Sequence, residues 1–188
     1  MEPLIHFAFP FVLSLSTQAR LRWAFLAGLI GVLPDLDVLF FAHPSPSHSI
    51  LPSLILAAAS LTILNRSKLR TPVLLSAMGL GSHGLLDLTE NYVPIIWPLS
   101  QDVYQLVLTA RLHMRSSSSI TWALEILGRP YDYAVFRSLD TWIFTAQGLT
   151  IAAILLATGV ALELRRRAAP PSSQIEKAES SPLPANEK

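Results

Sequence analysis

Cysteine is absent from the 188 residues. A disulfide framework and thiolate-ligated zinc are thereby excluded, and any metal site must be built from histidine, aspartate and glutamate. Charge is sparse too, at 14% of residues, against 51% hydrophobic residues and a mean hydropathy of +0.44. A soluble domain of this length needs far less apolar matter for one core, so the composition reads as that of a membrane protein. An excess of one sign of charge is also missing: 14 Lys and Arg stand against 13 Asp and Glu, a formal net charge of +1. No overall basic field argues for a nucleic-acid partner, and none is expected. The N-terminus, MEPLIHFAF, has neither the basic n-region nor the small-residue cleavage site of a secretory signal, so His6 is expected to stay in the mature protein.

What is present is a series of apolar runs. Leu4 to Leu15 is short and carries Pro10; Trp23 to Phe41 ends in a PDLD tetrapeptide; Ile50 to Leu64 follows a proline-rich loop; Leu75 to Leu88 reads as part of a helix that begins near Pro72; and Thr141 to Leu162 precedes Arg165, Arg166 and Arg167. Read by hydropathy, these predict an all-α fold, a polytopic transmembrane helical bundle of about four or five spans. Residues 1–165 then form one membrane-embedded domain, and residues 166–188, rich in Pro, Ser, Glu and Lys, a disordered cytoplasmic tail. Between them, about 89–141 reads as an outer-face helical or irregular segment, with helices over Asp102–Leu112 and over the SITWALEIL run. Tyr92, Trp97, Tyr104 and Trp122 are its aromatic-belt candidates.

Basic residues fall in alternate loops. Arg20 and Arg22, then Arg66, Lys68 and Arg70, then Arg165–Arg167 mark cytoplasmic ends, whereas the 42–49 loop has no Lys or Arg. The positive-inside rule therefore predicts the N-terminus outside and the C-terminus in the cytoplasm, in a cell (inner) membrane.

That arrangement sends His6, Asp35, Asp37, His48, His83 and Asp87 to one, outer, membrane face. His83 and Asp87 are four apart, on one face of a helix, and can share a ligand. In an extended PDLD segment Asp35 and Asp37 project to the same side, one as a ligand, the other orienting a histidine or taking a proton. Ionisable groups in apolar segments must be partnered, and imidazole with carboxylate is a donor set for a divalent ion. His6, Asp37, His48, His83 and Asp87 are the expected metal ligands, and Asp35 and Asp37 the catalytic candidates. Zinc is the first choice of ion, with manganese or magnesium as alternatives. Such an ion polarises a phosphoryl or carbonyl oxygen and acidifies water. His43 reads as a loop histidine, and His113 and Glu125 as solvated residues that could otherwise complete the metal shell. Tyr131, Asp132 and Tyr133 read equally as headgroup contacts or interfacial residues.

The ordered set formed by His6, G-x-x-x-PDLD, H-x-x-x-SHS at His43 to Ser49, H-x-x-x-D at His83 to Asp87 and the Trp97–Pro98 pair resembles the membrane-bound metal-dependent hydrolases, a family of inner-membrane proteins also described as LexA-binding. The likeness covers roughly residues 1 to 100. Where that family has an arginine after its first loop histidine this chain has Pro44, whereas Ser47 keeps the small hydroxyl residue before His48. The order of histidines and aspartates is more remotely similar to zinc-dependent phospholipases C and single-strand nucleases of that type, without a second H-x-x-x-E pair downstream of Asp87. These resemblances imply a metal-dependent hydrolase acting at the outer face on a phosphoester or lipid-like small-molecule substrate delivered from the lipid bilayer, with a protein partner possible. The alternative is a transporter or protein-binding scaffold in which the same polar cluster is structural.

Overall fold

The structure, a computed structural model, describes residues 2–40, 43–114, 118–131 and 142–168. The expected tail lies outside these from residue 169, as do Asp132 and Tyr133, and Arg166 and Arg167 belong to the last helix. Among the described residues the elements run α1 (Pro3–Ser16), α2 (Leu21–Val32), a 3-10 segment (Leu33–Phe40), a 3-10 turn (Pro46–His48), α3 (Leu51–Thr62), α4 (Arg70–Glu90), β1 (Val103–Met114), β2 (Ser118–Arg129) and α5 (Ala146–Ala168).

An all-α bundle of four or five spans is therefore not what forms. Among the described residues, two segments are long and apolar enough to cross a membrane, Leu21–Phe40 and Ala146–Ala168. α1 and α3 have 14 and 12 residues, or about 21 and 18 Å at the helical rise, short of a hydrocarbon core of about 30 Å. α4 has the length but not the apolarity, because it is the central helix. It packs on α1, α2 and α3, and its buried positions are Gly79, Gly81, Ser82, His83, Gly84 and Asp87 among others.

Burial in the bundle is inverted relative to a water-soluble protein. Alanine dominates the buried apolar residues, and Ser14, Ser53, Ser60 and the site histidines and aspartates are buried with it, while Leu29, Leu33, Leu39, Ile55 and Ile154 face outward. Small residues let helix backbones approach where lipid covers the exterior.

Pro10 shows how local chemistry serves that approach. It lacks the N–H that would bond the carbonyl of His6 one turn earlier, and Gly31 of α2 packs on that carbonyl, where any Cβ would collide with it. Gln18, at φ 61°, takes the left-handed position that ends α1, with Gln18 N–H donating to Leu15 O and Ala19 N–H to Ser14 O, a Schellman-type turn that feeds directly into α2. Glu2 accepts from the backbone and hydroxyl of Thr145, and Arg166 donates to the carbonyl of Ala19 at 2.9 Å. α5 is thus tied at one end to the start of α1 and at the other to the turn before α2.

The segment expected to be helical or irregular is a β-hairpin. β1 and β2 are antiparallel, in register from Val103↔Arg129 to Met114↔Ser118. Leu106, Leu108, Leu112, Ile120, Trp122, Leu124 and Ile126 fall on one face by strand alternation, and Gln105, Arg111, His113, Thr121 and Glu125 on the other. Its base is fixed to the bundle by the Val93↔Tyr104 bridge.

Candidate metal centre

Four backbone devices assemble the centre. Pro34 cannot donate the next α-helical bond, and α2 tightens into the 3-10 segment carrying Asp35 and Asp37. At three residues per turn, side chains two apart diverge by about 240°, not to the same side as an extended PDLD would send them. The 45–49 loop is held by Ser45 N–H donating to Asp37 Oδ2 at 2.8 Å and by Ser49 Oγ donating to the carbonyl of Trp97 at 2.6 Å. Gly84 of α4 admits the His48 backbone, whose carbonyl would stand 2.7 Å from a Cβ there. The fourth device is the close contact of Gly31 with α1, which brings His6 beside α4.

His6, Asp35, His83 and Asp87 meet, each offering a ligand atom within 4.8 Å of the others, and so do Asp35, His43 and His48; Asp35 belongs to both groups. Nε2 of His48 and Nε2 of His83 each lie 3.3 Å from Asp87 Oδ2, and 3.9 and 3.8 Å from Asp35 Oδ1. His6 Nε2 is 3.0 Å from Asp87 Oδ1. An ion with tetrahedral bonds of 2.0–2.1 Å keeps its ligand atoms roughly 3.3 Å apart, so these spacings suit one. Both Asp35 oxygens, Asp87 Oδ1 and Nε2 of His48 and of His83 are buried without a hydrogen-bond partner. Leaving that many donors and acceptors unpaired costs about 1–3 kcal/mol each. The residues present therefore fit a divalent cation.

The far sides of the rings are held. His83 Nδ1 donates to the carbonyl of Gly31 at 2.7 Å, which leaves the Nε2 lone pair facing the carboxylates. Asp37 accepts from His43 Nδ1 at 2.9 Å and lies 3.4 Å from His48 Nδ1; Ser47 Oγ is 3.2 Å from the same His48 nitrogen. Asp37, expected as a ligand, thus stands behind two histidines rather than among the converging unpaired atoms, the arrangement that fixes tautomer and ring direction in metal sites. Burial pushes the His48 imidazole pKa down, but Asp35 and Asp87, with Asp37 close by, outweigh it and leave the pKa raised to about 9. Without an ion, His48 carries a proton at neutral pH.

Of the expected residues, His6, Asp35, His48, His83 and Asp87 converge. His43, read as a loop histidine, stands at the same centre, and its signal was the spacing to His48 rather than its neighbours. His113 and Glu125 do not join it: both are exposed on the hairpin, and His113 Nε2 lies 3.0 Å from Thr121 Oγ1. The carbonyl of Gly31 and the amide of Ser45 have no side-chain signature and were invisible to sequence reasoning.

No curated protein and no solved structure matches the chain. A family model does, over residues 1–165. That span includes the Leu21–Phe40 segment, all of α5 but its last three residues and every residue of the histidine–aspartate centre, and the chain belongs to the YdjM inner membrane protein family.

Proposed function

We propose that the protein is a membrane-bound metal-dependent hydrolase that cleaves a phosphoester or lipid-like substrate at the outer membrane face. The observation that carries this reading is the set of buried imidazole nitrogens and carboxylate oxygens converging from α1, α4, the 3-10 segment and the 45–49 loop, several of them without a hydrogen-bond partner. A divalent ion there, zinc by donor set with manganese or magnesium as the alternatives, supplies Lewis-acid polarisation of the substrate oxygen and of water. His6, His48, His83 and Asp87 would hold it. Asp35 turns Oδ1 towards His48 and His83, and Oδ2 is the acceptor for the proton of an attacking water. Asp37 keeps His43 and His48 in the tautomer that leaves Nε2 free.

The orientation rests on charge. The bond from Arg166 to Ala19 brings the Arg165–Arg167 end of α5 beside Arg20 and Arg22, and Leu75, near the start of α4, packs with Ala19, so the Arg66–Arg70 cluster belongs to the same end. By the positive-inside rule that end is cytoplasmic, and the centre, at the opposite end of α2, faces outward with the N-terminus. The apolar face of the hairpin supports contact with the bilayer from which a lipid-like substrate arrives.

The test is cleavage of phosphodiester, ester and amide reporters by the purified full chain with Zn²⁺, Mn²⁺ or Mg²⁺. Phosphodiester turnover that needs metal and is abolished in Asp35→Asn is expected; no turnover with any reporter or ion replaces the enzyme with a metal-binding module.

A further inference from the structure

The centre is closed on almost every side. Side-chain exposure is 0% for His48 and His83, 3% for His6 and Asp87, 5% for Asp35 and 8% for Asp37, whereas His43 reaches 16%. Among the described residues of the centre His43 is the most exposed, which makes its side the way in for a reacting group. A cavity of about 290 Å³ opens there, lined by His43, Glu90, Tyr92, Gln105, Arg129 and Tyr131 among others. Its walls join the hairpin to the centre: the Tyr131 hydroxyl donates to the carbonyl of His43 at 3.2 Å, and Gln105 donates to the carbonyl of Glu90 at 3.0 Å. Arg129, the last residue of β2, holds its guanidinium 4.2 Å from the centroid of the Tyr92 ring. A cation–π contact of this kind restrains the guanidinium, whose N–H donors point outward from its planar rim and suit an anionic ligand.

We infer that the cavity between the hairpin base and His43 is the substrate subsite, and that Arg129 binds the phosphoryl group there, a reading that rests on the hydrolase function proposed above. The planar fork of arginine matches the oxygens of a phosphoryl group, and a tyrosine-stacked arginine loses less freedom in binding than a free one. Glu90 shares the walls, so Arg129 is the cation there that offsets it, and an ion at the centre would add positive charge from the His43 side. The hairpin thereby acquires a role that the histidines and aspartates leave open: Gln105 and Arg129 at its base hold the wall that selects the substrate.

The test uses the full chain in detergent, loaded with zinc and titrated calorimetrically with inorganic phosphate. Arg129→Ala is expected to weaken phosphate binding about tenfold or more, and Arg129→Lys less, since a point charge keeps attraction but loses the paired contact. Arg111→Ala removes the same charge far out on β1 and is expected to bind as wild type does. Zinc content, measured by elemental analysis, stays equal in all of these proteins. Phosphate binding that is absent in wild type, unchanged in Arg129→Ala, or equally reduced in Arg111→Ala overturns the subsite. A wild type that holds no metal overturns the hydrolase reading instead, and the same phosphate comparison in the metal-free protein still decides the subsite. Displacement of phosphate by glycerol 3-phosphate or by dihexanoyl phosphatidate distinguishes a water-soluble from a lipid source; displacement by neither overturns the subsite as well.

Discussion

The carbonyl of Gly31 accepts the Nδ1 proton of His83 at 2.7 Å, so the residue that lets α2 close on α1 also aims a histidine of α4. A methyl group at residue 31 has no room beside the His6 carbonyl and Pro10. Gly31→Ala should force α1 and α2 apart, lower stability by about 1–3 kcal/mol as overpacked cores do, and displace both His6 and His83. Gly159→Ala in α5 meets the Phe11 ring and Val12 instead and should also cost stability while leaving the centre intact. Thermal unfolding and metal content measured side by side check this; equal metal retention by the two variants would refute the double role of Gly31.

Metal affinity should rank the residues by position. His83→Ala and Asp87→Ala remove donors from the converging set and are expected to lose the ion. Asp37→Asn keeps every converging atom and disturbs only the ring orientation of His43 and His48, which predicts an affinity about 10–100-fold weaker, as for other supporting residues of metal sites. His113→Ala, out on the hairpin, should bind as wild type does. Competition against a chelator of known strength reads all four variants, and Asp37→Asn matching His83→Ala would make Asp37 a ligand after all.

The centre was legible in the sequence for a physical reason: an ionisable residue in an apolar run must find a partner, and six such residues recurred beside proline and loop signals. The geometry of PDLD was not legible, because Pro34 ends an α-helix equally well by extension or by tightening into 3-10 turns. His43 was obscured because Pro44 breaks the pattern beside it. Spans were overcounted since hydropathy does not separate a short helix packed among others from one that crosses. The hairpin was missed although Leu106, Leu108, Leu112, Ile120, Trp122, Leu124 and Ile126 alternate faithfully; the leucines, alanines, glutamine and glutamate among them are good helix formers, and length in a lone segment favours helix.

Orientation can be read chemically, since the chain has no cysteine of its own. Ser45 lies beside the centre, bonded through its amide to Asp37, and Ser67 in the basic turn between α3 and α4. Ser45→Cys should react with a membrane-impermeant maleimide in intact cells and Ser67→Cys only after permeabilisation. The opposite pattern would put the centre in the cytoplasm.

The proton on His48 gives the centre a pH signature. Its pKa in the ion-free protein is raised from 6.5 to about 9, so its ion pairs with the surrounding carboxylates contribute stability that is complete below about pH 6.5 and lost as pH rises through 9. A histidine that binds metal must be neutral, so ion uptake at pH 7 expels this proton, and the apparent affinity should climb about tenfold per pH unit towards pH 9 on account of this group alone. Chelator-treated protein is therefore expected to lose melting temperature between pH 7 and 9.5, while zinc-loaded protein holds or gains over the same range. Calorimetry in two buffers of different ionisation enthalpy should count close to one proton released from His48 per ion bound at neutral pH, and His48→Gln should remove that release. Parallel melting curves with and without metal, or the same proton count in His48→Gln, would show that His48 is not the group that ion and proton compete for.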